Sequence, residues 1–284
     1  MSAKIKKWDW EIQSRTTWMG ASLEELWAYR HLLVGLVRRD FLLNYQQTVL
    51  GPFWILFQPV MTLATYVIVF GKLVGIPTGS VPPVLFYLSG IVLWNLFSDG
   101  FNGTSATFRE NAHIFSKVYF PRLIMPLSQL STHFMRFLFQ MILLLLAIAY
   151  YLLFEDVSVQ LTPWLIGLPF VILLVNLFAL SLGLLFSVVT AKYRDLANLV
   201  GLGIRLLMFL TPVIYSVDYI PENVRWIVLM NPLTPLFELF RLSLLGDGTV
   251  TIPQLTYSVL FICLFFIGSI LIFNKQGDKL IDVV

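Results

Sequence analysis

The sequence predicts an all-α integral membrane protein with six transmembrane helices. Three observations carry this prediction. Of the 284 residues, 58% are hydrophobic and only 12% are charged, whereas a soluble domain carries roughly 25% charged residues. Mean hydropathy is +0.81. The apolar residues gather into runs close to or above the roughly 20 that cross a bilayer. An amphipathic helix precedes the first run, and shorter helices lie between the fifth and sixth.

Residues 1–51 read as a cytoplasmic N-terminal segment. Lys4, Lys6 and Lys7 are followed by Trp8-Asp9-Trp10-Glu11 rather than an apolar core, so the start does not read as a cleaved signal peptide. Ser22-Leu23-Glu24-Glu25 is a capping box and predicts a helix over Leu23–Tyr45. That helix mixes Leu26, Leu33, Leu36 and Phe41 with Arg30, Arg38, Arg39 and Asp40. The pattern suits a helix lying in the membrane interface, or one packed under the bundle.

The transmembrane domain is expected over 52–274, with a cytoplasmic tail over 275–284. Its first span is 53–74, with Pro52 at a position where a missing amide costs nothing. The second, 84–108, is interrupted by Asn95, Asp99 and Asn102. The third is 127–154, after Pro126, and the fourth is 164–190. The fifth, 196–215, holds Arg205, and the sixth is 255–273. Between the last two, the patches Trp226–Met230 and Leu236–Leu245 are each too short to span and are separated by Pro232 and Pro235. Such segments are re-entrant or interfacial helices, or a buried outer loop.

Charge orients the bundle. With six spans, fourteen of the 19 Lys and Arg residues fall on the side of both termini. Lys72, Arg225 and Arg241 fall on the other, and Arg136 and Arg205 lie within spans. The positive-inside rule then places both termini in the cytoplasm. Trp54, Trp94, Trp164 and Trp226 lie near span ends or partway down, where interface anchors occur.

Several chemistries are not supported. A single cysteine, Cys263, forms no disulfide within the chain, and His31, His113 and His133 have no metal-ligand spacing. There is no G-x-x-x-x-G-K-[ST] loop for ATP, no G-x-S-x-G elbow and no H-E-x-x-H. A net charge of +3 does not imply nucleic acid. A membrane-embedded lipid-modifying enzyme has only Asp99, His113, His133 and Asp195 to draw on, at no diagnostic spacing.

Polar groups inside a membrane are costly and mark functional positions. Arg205 must meet a carboxylate, a water-filled cavity, a bound anion or a subunit interface. Asn95 and Asp99, four residues apart on one helix face, either line a pathway or hydrogen-bond to a neighbouring helix. Arg136 is expected to reach the cytoplasmic surface by snorkelling.

An ordered set of motifs resembles a known family. It comprises Val37-Arg38-Arg39-Asp40-Phe41; Tyr45 through Leu50-Gly51-Pro52-Phe53-Trp54; Phe115 through Pro121-Arg122 to Pro126; Tyr193-Arg194-Asp195-Leu196; Thr211-Pro212-Val213-Ile214-Tyr215; and Asn231-Pro232 followed by Arg241. These resemble the type-2 ABC transporter permeases of the polysaccharide-export branch, which includes O-antigen, capsule and teichoic-acid permeases.

The resemblance implies a permease without its own ATPase site, dimerised with a second copy and paired with a separate ATPase subunit that binds ATP and Mg. It also implies export of a polyprenyl-diphosphate-linked glycan, O-antigen or related, across the bacterial inner membrane. A small-molecule exporter of the same superfamily is the alternative. The segment Arg109–Arg122 corresponds to a cytoplasmic coupling helix, with Arg109, Phe115, Lys117, Val118, Tyr119, Phe120 and Arg122 facing the ATPase. The helix carrying Arg38, Arg39 and Asp40 corresponds to the interface helix. The region of Trp226, Asn231, Pro232 and Arg241 corresponds to re-entrant gate helices. Aromatics suit sugars, so Phe57, Tyr66, Phe70, Phe86, Tyr87 and Trp94, with Asn95, Asp99 and Arg205, are the expected pathway residues, packing toward lipid being the alternative for each aromatic.

Overall fold

A computed structural model describes residues 22–115, 120–155, 163–193 and 195–281, and all regular structure among them is helical. Ser22 caps the first helix, its Oγ accepting from the Glu25 amide at 3.2 Å. The expected helix over Leu23–Tyr45 breaks at Tyr29 into α1 (Leu23–Ala28) and α2 (Arg30–Tyr45). Leu36 of α2 is buried with Phe120, Ile124 and Met125, while Trp27, Val34 and Leu43 stay exposed. The helix therefore packs against the bundle on one face and leaves an apolar face free.

Among the described residues, five helices are long and apolar enough to cross a membrane. The first is α3, covering Gly51–Val74, whose last eight residues widen into a π-helix. The others are α4 (Pro83–Ser105), α6 (Ile124–Phe154), α7 (Trp164–Lys192) and α11 (Ile252–Ile281). A short α5 (Thr107–Phe115) follows α4. Helix α4 is central, packed between α6 and α7. A Cβ on Gly183 of α7 would stand 2.5 Å from the Thr104 Cβ, so glycine there lets α4 and α7 approach closely.

Several expected boundaries change. Helix α6 begins at Ile124, because Pro126 is tolerated in a first turn. The second span ends at Ser105, where Ala106 starts the turn into α5. Helix α11 runs past residue 273 to Ile281. The fifth apolar helix, α8 (Leu196–Leu210), stops five residues before Tyr215. Thr211 precedes Pro212 and is extended, at φ −107° and ψ 138°, as the proline ring requires of its predecessor.

At 15 residues, α8 spans only ~22 Å against a hydrocarbon core of about 30 Å. It nevertheless joins the two ends of the bundle. Near its start, Ala197 shares a cavity wall with Ser105 and Thr190, and Thr190 Oγ1 donates to the Ser105 carbonyl at 3.1 Å. Beyond its end, Val213 O lies against Gly90 near the start of α4. The non-helical stretch 211–215 completes the passage. The pair α9 (Glu222–Leu229) and α10 (Thr234–Leu245) bends by 92°. Ser243 Oγ donates to Trp164 O, and Ser258 Oγ donates to Pro232 O. Both contacts keep the pair at the end where α7 and α11 begin.

Candidate functional site

The end holding α9 and α10 is organised by Arg241, which is 2% exposed. Its Nη2 donates to Val213 O at 2.8 Å and its Nη1 to Tyr215 O at 3.5 Å. Its Nη1 lies 3.6 Å from Glu238 Oε1, one helical turn away. The guanidinium carbon sits 3.9 Å over the Phe86 ring. These carbonyls are free because 211–215 is not helical. Glu238 Oε2 accepts from the Thr249 amide at 3.0 Å. A Cβ on Gly90 would stand 2.3 Å from Val213 O, so only glycine admits the turn segment here. Burial raises the pKa of nearby Asp247, with the Arg241 charge opposing it.

Asn231 fastens the same end. Its Nδ2 donates to Thr211 Oγ1 at 2.8 Å and to Leu210 O at 3.2 Å, and its Oδ1 accepts from the Leu233 amide at 3.0 Å. The Thr211-Pro212 and Asn231-Pro232 motifs, distant in sequence, thus meet in space. Trp226 is exposed beside them, its Nε1 donating to Asn223 O at 3.0 Å.

Two cavities lie in line between α4 and α8. One, about 470 Å³, is walled by Trp94, Ser98 and Asn102 of α4 and by Gly201, Arg205, Met208 and Phe209 of α8. The other, about 360 Å³, shares Asn102 and Gly201 and continues toward α5, with Asn44, Arg109, Gln129, His133, Arg136 and Thr190 in its wall. The α4 residues Trp94, Ser98 and Asn102 recur every fourth position, which puts them on one helix face.

The family relationship is clear at sequence level. A model described as "ABC-2 type transporter" matches residues 31–245. The chain belongs to the ABC-2 type transporter family. This ABC-2 chain is similar to two Klebsiella pneumoniae proteins named "O-antigen export system permease protein RfbA". One is 30% identical and the other 28%, and each match covers 89% of this chain and 95% of the relative. It is 21% identical to the "Capsule polysaccharide export inner-membrane protein CtrC" of Neisseria meningitidis serogroup A, over 84% of this chain and 88% of that protein. The family and its apolar helices make this a multi-pass membrane protein and a transport subunit.

The expected pathway residues of the ABC-2 chain separate into groups. Trp94 and Arg205 reach the cavity wall, and no carboxylate pairs with Arg205 among the described residues. Asn95 and Asp99 lie on the adjacent α4 stripe. Asn95 Nδ2 donates to Gln140 Oε1 of α6 at 3.1 Å, which is the interhelical alternative. Phe57 packs edge-on against Trp54, and Tyr66 against Phe70. Tyr66 Oη also approaches Met208 Sδ at 3.4 Å. Phe57, Tyr66 and Phe70 are not among the residues lining the two cavities.

At the opposite end, Arg39 Nη2 meets Asp40 Oδ1 at 2.7 Å, and Gln129 Nε2 donates to Asp40 Oδ2 at 2.9 Å, tying α2 to α6. Arg38 is exposed. Arg109 is exposed beside Glu110 at 3.5 Å, and Arg122 is half-buried. Lys117, Val118 and Tyr119, and the Phe115 side chain, lie outside what is described. Phe120 corrects its expected role. It is 6% exposed and packs with Leu36 and Ile124, because burying the ring against α2 removes it from water.

The Arg136 guanidinium lies 5.6 Å over the Tyr45 ring and lines the cavity it shares with the exposed Arg109 and Asn44. Burial raises the Tyr45 hydroxyl's pKa, and the Arg136 charge opposes that rise. Sequence reasoning missed Glu238 and Gly90 as site residues. Only the three-residue spacing of Glu238 and Arg241 offered a signal, since ion pairs form at that helical separation.

Proposed function

We propose that this chain is the permease subunit of an ATP-driven exporter that moves lipid-linked polysaccharide, O-antigen or a related glycan, out of the bacterial cytoplasm. The observation that carries the reading is the file of two cavities between α4 and α8, walled by Trp94, Arg205, Asn102, Arg109 and Arg136. Relatives named for O-antigen and capsule export support the substrate class. The wall combines an aromatic face for sugars with cations for an acidic lipid-linked group.

In this reading the protein sits in the inner membrane with both termini cytoplasmic, following the charge asymmetry. A separate ATPase subunit binds ATP and Mg and docks on α5 and the segment to Arg122. Binding of ATP closes the ATPase pair, and the push reaches the bundle through α5. Two copies of the chain form the channel. The exposed apolar faces of α3 and α8, including Met61, Ile68, Leu202 and Leu206, support a partner there. The α9–α10 pair, held by Arg241 and Asn231, serves as the outer gate.

The test is genetic and biochemical. Deleting the gene should abolish surface glycan. Complementation with Tyr119→Asp should restore an assembled permease–ATPase complex that hydrolyses ATP but exports no glycan. Unchanged surface glycan after deletion sinks the export reading, and normal export by Tyr119→Asp removes the coupling role.

A further inference from the structure

Helices α4 and α6 meet along a polar seam that the cavities do not explain. On α6, Gln129, His133, Arg136 and Gln140 recur at spacings of four, three and four, so they share one helix face over about 16 Å. On α4, Asn95, Asp99 and Gly103 recur every fourth residue. The two stripes run antiparallel and match rung by rung. Asn95 Nδ2 donates to Gln140 Oε1 at 3.1 Å. Asp99 lies close enough to Arg136 for their charges to act on each other. Gly103 is the notch for His133, since a Cβ there would stand 2.5 Å from His133 Nε2.

The same α6 face also holds α2. Gln129 Nε2 donates to Asp40 Oδ2 at 2.9 Å. Seven residues on, close to two helical turns, the Arg136 guanidinium lies 5.6 Å over the Tyr45 ring. Helix α2 is thus met at every second rung of the stripe, and α6 stands between it and α4. Each α4 rung follows a member of the cavity face by one residue: Asn95 follows Trp94, Asp99 follows Ser98 and Gly103 follows Asn102. Axial movement of α4 along the seam therefore carries the cavity wall with it.

A seam of this kind adds little stability, because polar pairs between membrane helices are individually weak. What it fixes is register. Apolar contacts resemble one another from turn to turn, whereas a polar pair has a partner at one position only. Gln140 is 5% exposed, so a slip of one turn would leave its amide buried and unpaired.

We propose that this seam is a register lock that passes movement of α2 through α6 to the cavity wall of α4. Gln129 and Arg136 are its positioning residues toward α2, and His133 and Gln140 are those toward α4. This rests on the export reading and adds α2 to α5 as a route for the push of the ATPase.

The test begins with Asn95 and Gln140, which line neither cavity between α4 and α8. Asn95→Leu/Gln140→Leu makes both partners apolar, so neither is stranded. Thermal unfolding of the purified chain should shift by no more than about 4 °C, and the complex with the ATPase should keep the parent rate of ATP hydrolysis. Surface glycan restored to the deletion strain should nevertheless fall by at least about fivefold, the lower end of couplings between sites in one protein. Asn95→Gln/Gln140→Asn keeps a hydrogen bond across the seam and should recover export. Parental export by the apolar pair overturns the lock. A parallel loss of unfolding temperature, hydrolysis and export reduces the pair to packing and also overturns it, as does a swapped pair that exports no better than the apolar one.

A second measurement needs no glycan. Gln129→Leu and Asn95→Leu break opposite ends of the seam, and sites more than about 10 Å apart lose stability additively unless something links them. In the purified chain their combined loss of unfolding temperature should depart from additivity by more than about 2 °C. Additive losses overturn the lock while leaving the export reading intact. If gene deletion leaves surface glycan unchanged, the export reading falls, and this cycle alone decides the seam.

Discussion

The two ends of the bundle use arginine in opposite ways. At the α9–α10 end, Arg241 spends its charge on Val213 O, Tyr215 O and Glu238, with Phe86 closing over it. At the α2–α5 end, Arg136 has a ring beneath it and a hollow before it, and it makes no ion pair among the described residues. A guanidinium whose acceptors are protein carbonyls is a clamp. One that lines a cavity, as Arg136 does, keeps room beside it. Charge and residue type are the same at both ends, so the surrounding backbone decides. The non-helical 211–215 segment exposes carbonyls to Arg241, whereas the continuous α6 around Arg136 offers none.

The largest effect expected from this contrast is loss of the clamp. Arg241→Met strands Glu238 in a site where both side chains are 2% exposed. Removing one member of a buried ion pair costs about 3–5 kcal/mol. Thermal unfolding of the detergent-purified chain should fall accordingly, and Glu238→Gln in the same chain should recover part of the loss. If Arg241→Met unfolds like the parent protein, the clamp is not what holds α10 to Val213.

A middle-sized effect is expected where α2 is tied to α6. The Asp40 side chain is 12% exposed and accepts from Arg39 and Gln129. Hydrogen bonds to a charged group are worth about 1.5–3 kcal/mol, and the partial exposure of Arg39 places the cost of Asp40→Ala near the lower figure. Proteolysis of α2 should accelerate in this variant while the α9–α10 end keeps its protection. Equal loosening of both ends would contradict their independence.

Much of this molecule is legible in its sequence because hydropathy and charge act over long windows. Five apolar helices among the described residues follow from apolar runs, and the short patches with Pro232 and Pro235 signal the 92° bend between α9 and α10. The limits of α8 are less legible. The apolar run continues to Tyr215, and only the restraint of Pro212 on Thr211 ends the helix at Leu210. Site residues are harder still. Trp94 and Arg205 reach a cavity, but Asn95, four residues before Asp99, turns to Gln140 instead. One step around a helix separates a pathway stripe from a packing stripe, and periodicity alone does not say which neighbour each stripe meets. Arg136 and His133 carry no motif, and their importance arises only from the α2 and α4 residues they meet.

The smallest expected effect separates burial from charge as the source of the clamp's strength. Arg225 and Asp218 form an ion pair at 3.3 Å on the same end as Arg241, but their side chains are 37% and 46% exposed. Water screens such a pair and each side chain loses freedom to make it, so its net worth is about 0–1 kcal/mol. Asp218 Oδ1 also accepts from Thr249 Oγ1 at 3.2 Å, so Arg225→Gln leaves that carboxylate solvated and hydrogen-bonded rather than stranded. The variant should unfold within about 0.5 kcal/mol of the parent protein, and added salt should erase even that difference. A loss approaching that of Arg241→Met would mean that charge alone secures this end. The enclosure of Arg241 by Phe86, Gly90 and the free carbonyls would then be incidental to its strength.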